Sequence, residues 1–95
     1  MKYIRCIMVI VMDDKHYIYI LECRDHTYYT GYTNCIDERL KKHQNGKASK
    51  YTRGRRPVKL IYFEELESKS LALKREINIK KLTRLQKQKL IKKDD

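Results

Sequence analysis

Tyr17-Ile18-Tyr19-Ile20-Leu21-Glu22-Cys23, then Arg24-Asp25-His26-Thr27, then Tyr28-Tyr29-Thr30-Gly31-Tyr32: this stretch decides the fold. It reads as a tight β-hairpin with tyrosines on both arms. Tyr17, Tyr19, Leu21 and Cys23 alternate along the first arm and share one face. Ile18 and Ile20 fill the other face, so the strand is apolar on both sides and is expected at the centre of a sheet. Arg24 to Thr27 is polar and turn-like. Gly31 interrupts the returning arm. A glycine inside a strand costs stability and often marks the close approach of a ligand or another backbone. The hairpin is therefore expected to form a tyrosine-lined floor with a gap cut into it.

Downstream, the spacing predicts a helix over residues 35–46. Asn34 is placed to cap it, Asp37 stands at its third position near the positive end of the dipole, and Asn45-Gly46 stops it. Ile36 and Leu40 define its buried side. Arg39 and His43, four apart, lie on the flank of that side and are expected to look toward the sheet edge. Each has a plain structural reading, a snorkelling arginine and a capping or core histidine, beside a functional one.

Residues 46–57, G-K-A-S-K-Y-T-R-G-R-R-P, hold two glycines, a proline and no periodicity, and are expected to be a loop. Lys47, Lys50, Arg53, Arg55 and Arg56 crowd it, with Tyr51 and Thr52 between them. Basic side chains track phosphates, an aromatic ring stacks on a base, and glycines let backbone amides approach phosphate oxygens. Nucleic-acid contact is favoured over a merely solvated charged loop.

Val58 to Leu66 reads as a strand that pairs with the hairpin. The expected fold class is α+β, a small three-stranded antiparallel sheet flanked by helices. A helix then runs from the Glu67-Ser68 region to about Lys81, with Leu71, Ala72, Leu73, Ile77, Ile79 and Leu82 as its apolar positions. Glu76 falls between Ala72 and Leu73 on the helix wheel, inside the apolar arc. A carboxylate facing a core is costly unless it is paired or binds a metal. An ion pair with Lys80 or Arg39 and a metal-ligand role are the two readings. Thr83-Arg84-Leu85-Gln86 is a capping-box pattern opening a last helix. Leu85, Leu90 and Ile91 are expected to dock it, leaving Lys87, Lys89, Lys92 and Lys93 on a basic outer side.

Ninety-five residues make one small domain. Residues 1–16 are read as an N-terminal extension and 17–93 as the domain. The apolar run Ile7 to Met12, behind Lys2 and Arg5, is too short for a signal peptide and no small-residue cleavage site follows. It is read either as an extra edge strand or as the product of an upstream start, with Met12 the functional one. Net charge is +11, from 23 Lys and Arg against 12 Asp and Glu. That balance favours a polyanionic partner, nucleic acid before an anionic membrane. Cys6, Cys23 and Cys35 form no C-x-x-C pair, so reduced thiols in a cytoplasmic protein are expected rather than a zinc site or a disulfide framework.

Tyr17-Ile18-Tyr19, followed ten residues after Tyr19 by Tyr29-Thr30-Gly31, resembles the paired signature of the GIY-YIG nuclease superfamily. Tyr17 to Cys23, Tyr28 to Gly31 and Lys50 to Pro57 are similar to segments of the small stand-alone bacterial GIY-YIG proteins. The order of elements is similar to the nuclease domain at the N-terminus of the UvrC excision-repair protein. The likeness covers Tyr17 to about Ile91. It implies that Tyr19 and Tyr29 are the tyrosines of the two triplets, Arg39 the helix arginine, His43 the frequent histidine and Glu76 the metal-binding glutamate. It further implies Mg²⁺ or Mn²⁺ held mainly by Glu76 and the phosphate, and DNA as substrate in repair or recombination. Three departures stand out. Tyr17 replaces the first glycine and is expected to narrow the pocket, Thr30 replaces an isoleucine, and the asparagine that follows the glutamate in UvrC-type domains has no counterpart in the last helix.

In that reading Glu76 and the metal supply Lewis acidity. Arg39 holds phosphate oxygens bidentately, and Tyr19, Tyr29 or His43 takes the proton of the attacking water. No separate recognition domain is expected, so branched, nicked or single-stranded substrates are expected. A non-catalytic nucleic-acid-binding module of the same fold is the alternative. A basic RNA- or ribosome-associated protein explains the charge but not the inward Glu76.

Overall fold

The computed structural model describes residues 15–93, and the expectations for the N-terminal run fall outside them. The sheet is built from β1 (His16–Glu22), β2 (Tyr28–Thr33) and β3 (Lys59–Leu66). Their order is β2-β1-β3 and both pairings are antiparallel. The strand that is apolar on both faces therefore lies in the middle, and Tyr17 to Leu21 are all buried. The hairpin turn is closed by Cys23 N–H to the Thr27 carbonyl at 2.8 Å. The Asp25 carboxylate accepts from the Thr27 amide and hydroxyl.

Each face of the sheet buries its own layer. On one, Ile18, Ile20 and Tyr62 pack against Ala72 and Ile79, with Leu82, Leu90 and Ile91 around them. On the other, Tyr19, Leu21, Cys23 and Val58 pack with Tyr29, Leu40, Leu60 and Phe63. Leu60 and Tyr62 are two apart and would share a face in a regular strand. The register shifts between them, with Ile20 opposite Tyr62 and Leu21 opposite Leu60. The extra residue, Ile61, is a β-bulge that sends the two side chains into different layers. Thr30 lies in the strand opposite Ile20 with its hydroxyl buried and unpartnered among the described residues. Leaving such a group unbonded costs about 1–3 kcal/mol.

The helices are α1 (Ile36–Gln44), α2 (Lys50–Arg53), α3 (Lys69–Lys80) and α4 (Arg84–Lys93). At the end of α1, Lys47 N–H reaches the Lys42 carbonyl at 2.8 Å and Gly46 N–H reaches the His43 carbonyl at 3.0 Å. Gly46 has φ of +75°, so the expected stop is a Schellman motif that uses the glycine's left-handed conformation. The capping box is present as well: Thr83 N–H donates to Gln86 Oε1 at 2.9 Å and Gln86 N–H to Thr83 Oγ1 at 3.2 Å. Glu64 on β3 accepts two bonds from Arg75 on α3 and one from the Tyr62 hydroxyl, tying helix to sheet. No helix among the described residues is long and apolar enough to cross a membrane.

Several expectations are corrected. Asn34 does not cap α1. Thr33 Oγ1 takes the Cys35 amide at 3.1 Å, and Cys35 becomes the cap residue with no side-chain cap bond. The stretch 46–57 is not all loop, because Ser49 accepts from the Tyr51 amide and starts α2. On α3 only Ala72 and Ile79 are buried, while Leu71, Leu73 and Ile77 are exposed. The three-stranded sheet is too narrow to cover a wider stripe. Leu85 is exposed and does not dock α4, whereas Lys87 is partly buried and lies near Lys80; burial, then that charge, lower its pKa. Cys35 is disulfide-bonded, against the expectation of three reduced thiols, and Cys23 is free and buried.

Candidate active site

The β1–β2 register sets Tyr19 directly opposite Gly31. The Tyr19 ring lies across that glycine, and a Cβ built on Gly31 would stand 2.5 Å from the hydroxyl oxygen and 2.6 Å from Cζ. The gap expected in the returning arm is real, and the first triplet's tyrosine fills it. Thus seated, the Tyr19 hydroxyl is 2.8 Å from His43 Nε2.

His43 enters from α1 and is 1% exposed. Its Nδ1 is 2.9 Å from Thr52 Oγ1 on α2, and Thr52 Oγ1 is 3.4 Å from the Ser49 carbonyl. The donor inventory orients this chain. Thr52 donates to the Ser49 carbonyl and accepts from His43 Nδ1–H. His43 Nε2 then carries a lone pair and accepts from the Tyr19 hydroxyl. The tautomer is assigned by this network.

Burial, then the nearby Arg39 charge, lower the His43 pKa to about 4, so the ring is neutral at pH 7. Burial, then Tyr29, push the Tyr19 phenol upward; Arg39 pulls it back and Glu76 pushes it up. Arg39 and Glu76, from α1 and α3, thus both act on the same oxygen. Tyr19, Leu21, Ile36, Arg39, Leu40 and Leu60 line a narrow crevice beside α1. Arg39 is half-buried and makes no ion pair or side-chain hydrogen bond among the described residues. Its guanidinium is free to meet an anion. Tyr17 packs edge-on against Phe63 and does not line the crevice, so it does not narrow it.

Glu76 is inward, with its side chain 16% exposed, and Oε2 pairs with Lys80 at 3.2 Å. Its other oxygen has no protein partner among the described residues. No group of three His, Cys, Asp or Glu side chains stands together among those residues. Mg²⁺ is commonly held by one or two carboxylates, substrate phosphate and water. The single carboxylate here fits such an ion and does not fit a zinc site.

Tyr29 continues the site outward. Its ring centroid is 5.2 Å from His43 and 6.4 Å from Tyr19, and it stacks on Tyr51 at 6.0 Å. The Arg55 guanidinium covers Tyr51 at 4.0 Å, and its Nε is 3.0 Å from Asp25. An aromatic column therefore runs from the buried phenol to the surface. Lys47, Lys50 and Arg53 are exposed without ion pairs among the described residues. Arg56 is held by the Arg53 and Gln44 carbonyls. Of the six basic-loop residues expected to contact nucleic acid, Arg55 alone has an acidic partner among the described residues.

Sequence reasoning missed Thr52. It is fully buried within a strongly basic segment. Nothing in the local pattern links it to His43, nine positions earlier.

Residues 15–89 match the family described as the GIY-YIG catalytic domain. A UPF0213 protein of Clostridium perfringens is 58% identical over 76 residues, covering 80% of this chain and 82% of the relative. A UPF0213 protein of Oceanobacillus iheyensis is 51% identical over 80 residues, covering 84% and 93%. The solution NMR structure of a protein from E. faecalis aligns with TM-score 0.59 at 46% identity, covering 83% of this chain and 84% of that one. The NMR structure of a UPF0213 protein from Bacillus halodurans aligns with TM-score 0.55 at 47% identity, covering 82% and 83%.

Proposed function

Because the chain belongs to the GIY-YIG catalytic domain family, within the UPF0213 proteins, we propose that it is a metal-dependent DNA endonuclease. One observation carries this reading: the buried Tyr19–His43 hydrogen bond sits where Arg39 and Glu76 both act on the phenol oxygen.

A phosphodiester laid on the surface beside the half-buried Arg39 would place its non-bridging oxygens against that guanidinium. The attacking water would donate to the Tyr19 oxygen while Tyr19 donates to His43 Nε2. As the water oxygen bonds to phosphorus and the far P–O bond breaks, the water's proton moves to Tyr19 and the phenol's to His43. A base with a pKa of about 4 is weak in the free protein. An anionic phosphate beside it shifts it upward. A divalent cation held by Glu76 and the phosphate supplies Lewis acidity and charge stabilisation. Neutralising Glu76 also removes one of the charges that keep the Tyr19 phenol protonated. Tyr29 walls the site, and Tyr51 with the basic loop carries the DNA backbone without reading bases. Structure-selective cutting in repair or recombination suits a chain whose contacts are to backbone.

Supercoiled plasmid and branched or flapped DNA, incubated with and without Mg²⁺ or Mn²⁺, test the proposal beside Glu76→Ala. Metal-dependent cutting that is lost in the variant while DNA binding persists is the expected result. Binding without cutting, equal in both proteins, makes the chain a binding module and Glu76 a structural ion-pair residue.

A further inference from the structure

A second depression opens between the hairpin turn and the basic loop. It is shallow and open to solvent, with about 480 Å³ of accessible space, and is lined by Arg24, Gln44, Arg53, Gly54, Arg56 and Pro57. None of Tyr19, Tyr29, Arg39, His43 or Glu76 lines it. Three arginines line one space, and no acidic residue is among the lining residues.

Backbone contacts build this arrangement. Arg24 N–H donates to the Arg55 carbonyl at 2.8 Å, which brings the turn to the loop. Gln44 Nε2 donates to the Val58 carbonyl at 2.6 Å, and Gln44 Oε1 accepts from the Val58 amide at 3.1 Å, fixing the other rim. Arg56 is aimed by the Arg53 and Gln44 carbonyls, which carry no net charge. Arg24 and Arg53 have no ion pair or side-chain hydrogen bond among the described residues. The neighbouring Arg55 differs, since Asp25 already meets its charge. Three neighbouring cations without a counter-charge among the described residues repel one another, and an anion relieves that repulsion.

Gly54 is the second observation. Its φ of −88° is one that any residue adopts, and a Cβ there would meet nothing within 4 Å. The backbone does not require glycine at this position. A side chain at 54 would stand in open space at the edge of the depression that Gly54 lines.

The geometry points to a phosphate-oxygen subsite at Arg24, Arg53 and Arg56, separate from the crevice, that holds a non-scissile phosphate of the nucleic acid. This rests on the reading of the chain as a nuclease. His43 and Gln44 are neighbours on α1, and Thr52 and Arg53 are neighbours on α2. The first of each pair serves the Tyr19–His43–Thr52 chain and the second lines the subsite. The subsite therefore adjoins the Tyr19–His43–Thr52 chain along α1 and α2, and its guanidinium groups suit phosphate oxygens without reading bases.

Arg24→Gln and Gly54→Leu test this, with binding of fluorescein-labelled branched DNA followed by anisotropy over a salt series without metal. That readout does not depend on cutting. Arg24→Gln should lower the slope of log K against log salt by about one. Gly54→Leu should weaken binding about tenfold, with the melting temperature unchanged in both. Comparing 5′-phosphorylated and 5′-hydroxyl strands separates the sources. Equal effects assign an internal phosphate, and an advantage of the phosphorylated strand that both variants lose assigns a terminal one. Wild-type slope and affinity in either variant overturns the subsite, because a phosphate seated there must feel both changes. Absence of cutting by the wild type, with these binding effects intact, would sink the nuclease reading and leave the subsite standing.

Discussion

The Tyr19 ring crosses the strand to lie on Gly31, and the hydroxyl that meets His43 is also the atom a methyl at position 31 would strike. The glycine of the second triplet therefore does steric work for the tyrosine of the first. Its own φ is not in the left-handed region, so the requirement is space and not backbone conformation.

Gly31→Ala should accordingly destabilise the protein by about 1–3 kcal/mol through overpacking. Displacing the Tyr19 ring should also cut cleavage by roughly tenfold or more. Urea unfolding and a plasmid-nicking assay measure the two effects. A variant with wild-type stability and cutting would show that Tyr19 relaxes freely and that the glycine is not a seat.

His43 makes stability depend on pH. Its pKa is about 4 in the folded protein, against about 6.5 when exposed. Between these values the unfolded chain binds more protons than the folded one, so stability rises with pH across that window. The contribution is complete above about pH 6.5 and is lost as pH falls toward 4. It amounts to roughly 3 kcal/mol at most. Urea midpoints from pH 4 to 8 should climb in the wild type, and His43→Gln should flatten that climb. Parallel curves for the two proteins would place the titration elsewhere.

Thr52→Val keeps the shape of the side chain and removes the acceptor for His43 Nδ1. A buried N–H is left unpaired, at a cost of about 1–3 kcal/mol. If Thr52 sets the tautomer, the acid limb of the cleavage pH profile moves in Thr52→Val and returns in Thr52→Ser. Loss of stability with an unmoved profile would reduce Thr52 to a packing residue.

The hairpin was legible because its alternation is local and its central strand is apolar on both faces. Tyr19, Tyr29, Arg39 and Glu76 were singled out from spacing and family likeness, and the last three all act on the Tyr19 hydroxyl. What stayed hidden depends on distance in sequence. Ser49 starts a helix only four residues long, too short for any periodicity to register. Thr52 owes its importance to a partner on another element. Leu71, Leu73 and Ile77 looked like core because a helix wheel gives an apolar arc without saying how wide the opposing surface is. The sheet admits only the stripe around Ala72 and Ile79.

The four residues of α2 turn Thr52 inward to the imidazole and Tyr51 and Arg53 outward to the basic surface. A strand that draws this short helix along its backbone draws the Thr52 hydroxyl with it, and with it the nitrogen on which His43 keeps its proton. Under the proposed function, the place of the nucleic acid and the place of the proton would be one mechanical coordinate, with α2 as the lever between them.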